Sequence, residues 1–417
     1  MAGQRYVIEG GRRLEGTVRI SGNKNAAVHA VTAALLTTED CRLENLPAIE
    51  DVRYMLDILE ALGVRVERRG SSLVLNAAHI HTFAAPSELA VSLRASFVVM
   101  GPLLARFGRA ACCPPGGDII GLRPLDVHLA GFTALGAQVR REGDKFIAEA
   151  PRLRGSRIFM DYPSVLGTQN VMMAATLAEG VTTIVNAAAE PEVASLAEML
   201  NRMGARICGA GGHTIEVEGV KELGGVTHRV MPDRIEAGTF AIAAAVTGGD
   251  VTVEEGVPRH LDALIWKMRE AGVQIEEDEM SFRVRRAGPL RAVNLQSVPY
   301  PGLATDLQAP MAVLLTQANG VSIVYERVFD NRLLYVGELR KMGAEVATSG
   351  TTALISGPTP LVGTNVRALD LRAGAALVLA GLAAQGRTEI SDVYHLDRGY
   401  EALDEKLRSL GAAIERV

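Results

Sequence analysis

The chain is poor in aromatic residues: they make up 4% of its 417 positions, and tryptophan occurs once. Its cores must therefore be built from Leu, Val, Ile, Ala and Met. Cysteine is scarce too. Cys41, Cys112, Cys113 and Cys208 have neither metal-ligand spacing nor nearby histidines, and a vicinal pair is poorly suited to a structural disulfide, so they read as reduced thiols. A basic excess is missing. The formal charge of −5 leaves no overall footprint for a polyanion, which argues against nucleic acid as a partner. Long apolar runs are missing as well. Stretches such as Gly374 to Ala384 are too short to span a bilayer, and Met1 to Gly11 has no basic segment with an apolar one behind it. The expectation is a cytoplasmic protein with no membrane association. With 48% hydrophobic and 22% charged residues, the composition is that of a soluble globular enzyme of two domains.

What the chain does have is a repeat. A glycine closes a helical run at Leu62-Gly63-Val64, Leu135-Gly136-Ala137, Met203-Gly204-Ala205, Ala271-Gly272-Val273, Met342-Gly343-Ala344 and Leu410-Gly411-Ala412, at intervals of 73, 68, 68, 71 and 68 residues. A period near 70 is too long for the common solenoid units and long enough for a small α/β layer. One unit shows the pattern. A helical run through Asn170 to Ala178 stops at Gly180 and gives way to the β-branched Val181 to Val185. A second helix runs from Glu190 to Met203, and short strands follow through Ile207 and Ile215-Glu216-Val217. The same order fits 25–76, 94–149, 238–285, 305–356 and 371–415, each with a strand in front of its first helix.

Six β-α-β-α-β-β units divide into three per lobe. Residues 22–231 are expected to form one lobe, and 1–21 with 232–417 the other, joined by a double crossover acting as a hinge with a cleft between lobes. Helices such as Ala26 to Leu36 and Ala373 to Ala384 are apolar nearly all round, which suits central, buried positions.

Polar residues gather where the first helices of the units open: Lys24-Asn25, Arg94, Ser164 with Thr168, Asp233-Arg234, Asp306, and Asp370 with Arg372. Several second helices open at Arg123, Asn331-Arg332 and Asp397-Arg398. Helix N-termini favour anions, and arginine forks grip phosphate and carboxylate oxygens in pairs. Together, Lys24, Arg94, Arg123, Arg332, Arg372 and Arg398 describe a cationic cluster for a small, heavily anionic substrate.

These residues carry a resemblance. Gly22-Asn23-Lys24-Asn25-Ala26, Leu93-Arg94-Ala95-Ser96, Pro115-Gly116-Gly117, Gly121-Leu122-Arg123-Pro124, Pro232-Asp233-Arg234-Ile235-Glu236, Thr305-Asp306-Leu307-Gln308, Asp330-Asn331-Arg332, Asp370-Leu371-Arg372 and His395 to Glu401 resemble, in order and along essentially the whole chain, the enolpyruvyl transferases that act on UDP-N-acetylglucosamine. The resemblance implies an α/β fold of two lobes, an inside-out α/β barrel of six repeats. It also implies transfer of the enolpyruvyl group of phosphoenolpyruvate to the sugar 3-hydroxyl with release of phosphate, by addition and elimination, as the first committed step of peptidoglycan synthesis. No metal or organic cofactor is expected. For phosphoenolpyruvate it implies Lys24, Arg123 and Arg398 at the phosphate, Arg332 with Arg372 at the carboxylate, and Asn25 as a further contact. For the nucleotide sugar it implies Arg94, Arg123, Pro124, Leu125, Asp126, Ser164, Val165, Asp306 and Val328. Asp306 matches the acceptor of the hydroxyl proton, and Asp233, Glu190 and Asp370 match residues that orient the cations.

The proton donor to the methylene carbon falls at Asp118, in Pro114-Pro115-Gly116-Gly117-Asp118-Ile119-Ile120-Gly121, where most of the family carries the cysteine that fosfomycin alkylates. An unperturbed aspartate holds its proton in about one molecule in a thousand at pH 7, so the role requires an environment that raises its pKa. The expectation is an acid-shifted optimum and insensitivity to fosfomycin. Two further departures are Ser164-Val165-Leu166-Gly167-Thr168, where relatives often read Ser-Val-Gly-Ala-Thr, and Tyr162, where part of the family has lysine. They leave open an enolpyruvyl transferase for another nucleotide. A shikimate 3-phosphate enzyme usually follows its lysine with serine, whereas here Lys24 precedes Asn25, and a catalytically silent nucleotide-sugar sensor has no need of the donor-site cations retained here.

Overall fold

The computed structural model describes residues 3–70, 72–117, 120–121 and 124–417. The described residues form a mixed α/β protein with six sheets, one for each repeat counted from the glycines. All six marker glycines are left-handed, with φ between 93° and 110°. That conformation ends a helix by letting the chain turn back to the cap, and a side chain there costs energy. A second recurrent left-handed position follows a strand of four repeats, at Asn45, Asn186, Glu255 and Asp392, with φ from 56° to 59°.

The described residues sort into two compact units. One holds residues 3–21, 120–121 and 232–417; the other holds those within 22–117 and 124–231. Ile120 and Gly121 sort with 232–417 although they are flanked in sequence by the other unit. The reason is local. The Ile120 carbonyl accepts from Asn331 N–H at 3.2 Å, and a Cβ on Gly121 would come within 2.9 Å of the Asp330 nitrogen.

The third repeat shows the unit most plainly. Strand Arg157–Phe159 runs parallel to Val181–Val185, which pairs antiparallel with Thr214–Glu218, and that strand pairs with Arg206–Cys208. Helices Val165–Ala175 and Pro191–Arg202 connect them. In two repeats the strand in front of the first helix is not the strand in its sheet. Glu15–Arg19, ahead of helix Lys24–Ala33, pairs parallel with Asp250–Glu254, while Val226–Arg229, ahead of helix Arg234–Thr247, pairs parallel with Cys41–Glu44. The last sheet likewise takes Arg5–Glu9 between Arg387–Ser391 and Ala413–Arg416. The sequence expectation of a leading strand within each repeat is corrected on this point: strands at the ends of segments complete sheets distant in sequence.

Each unit is centred on helices that are buried along most of their length. In the unit of 232–417 these are Arg234–Thr247, Gln308–Thr316 and Leu371–Ala383, and all nine residues of Gln308–Thr316 are buried. In the other they are Lys24–Ala33, Met100–Phe107 and Val165–Ala175. Outer helices such as Glu50–Leu62 bury one face against them. Polar residues in the middle turns of these helices, such as His29, Asn170 and Thr239, are buried and bond to backbone carbonyls. No helix among the described residues is long and apolar enough to cross a membrane.

Candidate active site

The candidate residues fall into two groups, one carried by each unit. In the unit of 232–417, Asp306 lies in the 3-10 turn Thr305–Leu307 that leads into helix Gln308–Thr316. Asp306 Oδ1 accepts from Arg332 Nη2 at 2.6 Å, and Oδ2 accepts from Arg372 Nε and Nη2, both at 3.0 Å. The two arginine side chains are 4% exposed and Asp306 is 24% exposed, so the carboxylate forms the accessible rim of a buried cationic pair. Burial works against the charge on Arg372, but Asp306 and Tyr400 outweigh it and hold its pKa above the ordinary arginine value. Tyr400 lies 5.2 Å from the Arg372 guanidinium carbon and bonds Thr239 Oγ1 at 2.9 Å; burial raises its own pKa.

Asp370 and Asp233 are helix caps. Asp370 Oδ1 accepts from Arg372 N–H and Ala373 N–H at 2.8 and 2.9 Å, and Asp233 Oδ1 accepts from Ile235 N–H and Glu236 N–H at 2.8 and 3.1 Å. The first of these fixes Arg372 through its own backbone. Arg398 follows the short helix Tyr394–Asp397, whose last residue pairs with Arg416. Val328 is 37% exposed, and its N–H donates to Glu326 Oε1 at 2.8 Å.

In the other unit, Asn23 caps helix Lys24–Ala33 by accepting from Ala26 N–H at 2.7 Å, and its amide donates to Glu192 Oε1 at 3.1 Å. Lys24 Nζ sits 2.9 Å from Asp51 Oδ2, a carboxylate 1% exposed. The Asn25 carbonyl accepts from His29 Nδ1 at 2.6 Å, and burial pulls the His29 pKa down to about 4, so the imidazole is neutral at pH 7. Glu190 occupies the N-cap position of helix Pro191–Arg202 and is buried.

Of the candidates for the nucleotide sugar, Arg94, Pro124, Asp126 and Ser164 lie around Tyr162 in this unit. Tyr162 Oη donates to the Pro124 carbonyl at 3.4 Å, and its pKa is raised by burial, with Ser164, Asp126 and Arg94 all close enough to act on it. Ser164 Oγ accepts from Gly167 N–H at 3.1 Å and so caps helix Val165–Ala175. Gly167 has no room for a side chain: a Cβ would lie 2.8 Å from Val127 Cγ2 and 3.0 Å from Ser164 Oγ. Leu125 and Asp126 open helix Asp126–Ala134. Asp118 and Arg123 lie outside the described residues.

The structure adds residues that the sequence pattern did not single out. Asp51, which holds Lys24, lies in the first turn of Glu50–Leu62, where acids are common for reasons of helix dipole alone. Glu326, 1% exposed, ends strand Ala318–Glu326 with no neighbouring motif. Only burial separates these two from ordinary surface acids.

Known proteins resemble the chain along essentially its whole length. The family model described as EPSP synthase (3-phosphoshikimate 1-carboxyvinyltransferase) matches residues 8–407. A protein of Carboxydothermus hydrogenoformans named UDP-N-acetylglucosamine 1-carboxyvinyltransferase 2 is 52% identical, with 99% of each chain covered. One of Caldanaerobacter subterraneus subsp. tengcongensis, named UDP-N-acetylglucosamine 1-carboxyvinyltransferase 1, is 48% identical over 99% of each. Among solved structures, the enolpyruvyl transferase NikO from Streptomyces tendae superposes with a TM-score of 0.90 at 27% identity, covering 99% of both chains. An EPSP synthase from Acinetobacter baumannii shares the fold, with a TM-score of 0.76 at 17% identity and coverage of 99% of this chain and 100% of that one.

Proposed function

The chain belongs to the enolpyruvyl transferase family, and we propose that it transfers the enolpyruvyl group of phosphoenolpyruvate to the 3-hydroxyl of UDP-N-acetylglucosamine, releasing phosphate, in peptidoglycan synthesis. The observation that carries this reading is Asp306 held between Arg332 and Arg372, in a chain about half identical along its whole length to relatives named for that acceptor. It is a transferase, and its donor chemistry needs what the described residues offer: buried guanidinium forks for a carboxylate, and a carboxylate beside them to take a proton.

The reaction divides into an addition and an elimination. In the addition, the sugar oxygen bonds to C2 of phosphoenolpyruvate as its proton passes to Asp306, while C3 gains a proton and the double bond becomes a methyl group. In the elimination, C3 loses a proton, the double bond returns, and the C2–O bond to phosphate breaks. Asp118 is the proposed proton donor to C3, with Lys24, Arg123 and Arg398 taking up the phosphate charge and Arg332 with Arg372 the carboxylate. Asp306 can do its part because its two oxygens are fixed by two arginines; a base held in one place loses little orientation on the way to the transition state. Arg94, Pro124, Leu125, Asp126, Ser164, Val165 and Val328 are the proposed acceptor contacts.

The test is phosphate release from phosphoenolpyruvate by the purified protein, offered UDP-N-acetylglucosamine, shikimate 3-phosphate and a plain uridine nucleotide in parallel. Release with the first alone is expected. Release with another acceptor reassigns the substrate, and silence with all three rejects the transferase reading.

A further inference from the structure

One buried carboxylate ties together the two segments that carry the Asp306–Arg332 pair. Glu326 is 1% exposed and ends strand Ala318–Glu326. Its Oε2 accepts from Thr305 Oγ1 at 2.8 Å, and its Oε1 accepts from Val328 N–H at 2.8 Å and Phe329 N–H at 3.2 Å. Thr305 opens the turn that presents Asp306. Val328 and Phe329 begin the loop that runs through Asp330 and Asn331 to Arg332, and the Phe329 ring lies 5.9 Å from the Arg332 guanidinium carbon. Each oxygen therefore fixes one member of the pair, Oε2 the carboxylate side and Oε1 the arginine side. A buried carboxylate that accepts three hydrogen bonds is held firmly, since losing any one leaves part of its charge uncompensated.

We propose that Glu326 is a positioning residue that sets the register between Asp306 as proton acceptor and Arg332 as carboxylate fork. This rests on the enolpyruvyl-transfer reading, in which those two residues act on acceptor and donor within one step. Coupling both to a single side chain means that neither can move without the other. A base displaced by about 1 Å loses on the order of a hundredfold in rate while substrates still bind. The Thr305 arm should therefore govern kcat, and the Val328–Phe329 arm should also govern the donor KM through Arg332.

The design separates the arms. Thr305→Val keeps the shape and removes only the bond to Oε2. Glu326→Met removes both arms. Thr305→Ser and Glu326→Gln restore them, because the glutamine oxygen can accept from the two N–H groups while its amide donates to the Thr305 hydroxyl. For phosphate release with UDP-N-acetylglucosamine, Thr305→Val is expected to lower kcat about 10- to 100-fold at an unchanged phosphoenolpyruvate KM. Glu326→Met is expected to lower kcat and raise that KM, and both conservative variants should stay within about threefold of wild type. A Thr305→Val enzyme with the wild-type kcat overturns the inference. So does a series in which all parameters fall only in proportion to the folded fraction measured by circular dichroism, the result of a purely structural role. Wild-type protein that turns over neither substrate overturns the enolpyruvyl-transfer reading and the inference with it, whereas an active wild type with an insensitive Thr305→Val overturns the inference alone.

Discussion

Replacing Asp306 with Asn keeps the side-chain shape and removes the one negative charge shared by Arg332 and Arg372. Both oxygens of the aspartate accept from guanidinium N–H groups. Whichever way the asparagine amide turns, its NH2 faces one of those donors, so one arm of the contact is lost and two cations 4% exposed share less compensation. Breaking such a buried pair costs about 3 kcal/mol, the low end of the usual range because Asp306 is partly solvated. Loss of the proton acceptor should lower kcat by about 10²- to 10⁴-fold. The donor KM should fall as well. A unit charge about 6 Å from a bound anion is worth about 3 kcal/mol at an effective dielectric near 20, so even a well-screened part of that repulsion, once removed, tightens phosphoenolpyruvate about threefold or more. Steady-state phosphate release over a phosphoenolpyruvate series reads both parameters, and urea unfolding followed by circular dichroism reads the stability. An unchanged kcat would refute the assignment of Asp306 as base. A donor KM that rises tenfold would refute the charge argument and make Asp306 a strut for the arginines.

Three other outcomes follow from the same reasoning. Glu236, bonded to Lys406 at 2.6 Å, has its carboxyl pushed up by burial from 4.5 to about 7. A carboxyl raised in the folded state contributes its stability fully below pH 4.5 and loses it as pH climbs through 7, so Glu236→Gln should flatten the pH dependence of urea midpoints between those values; an unchanged slope counts against it. Gly167→Ala places a methyl group 2.8 Å from Val127 Cγ2 and 3.0 Å from Ser164 Oγ, and the resulting displacement should raise the KM for UDP-N-acetylglucosamine about tenfold while sparing the donor KM. Asp118→Cys should gain one fosfomycin adduct by intact-mass measurement where wild type gains none, and a variant that stays unmodified would remove Asp118 from the proton-donor position.

The repeat was legible because a helix that ends in a left-handed turn demands glycine, and six such ends stand about 70 residues apart. The second left-handed position of the repeat left no such trace, since Asn45, Asn186, Glu255 and Asp392 fill it with three residue types. Asn and Asp tolerate that region through local hydrogen bonds, a preference that glutamate as a residue type does not share. Strand partners were illegible for a different reason. The single buried residue of Glu15–Arg19 or Val226–Arg229 carries no label for the neighbouring strand, so pairing with Asp250–Glu254 and Cys41–Glu44 is decided only by how the whole chain packs.

The candidate cations and Asp306 were legible from their recurrence at helix starts and from family resemblance, whereas Asp51, which holds Lys24, and Glu326, which holds the Thr305 and Val328 segments, were not. An acid in the first turn of a helix, like Asp51, or at the end of a strand, like Glu326, has an adequate local explanation in sequence, and only their burial shows otherwise. This changes how the charge of the site is counted. Lys24, Arg332 and Arg372 each have a carboxylate oxygen within 3.0 Å, so in the proposed reading an anion that binds any of them meets a cation already engaged and gains only the difference between two partners. If the proposed donor contacts hold, affinity for the donor depends as much on how far Asp306 yields as on the number of cations, which makes that acid a position where donor KM can be tuned with both arginines left in place.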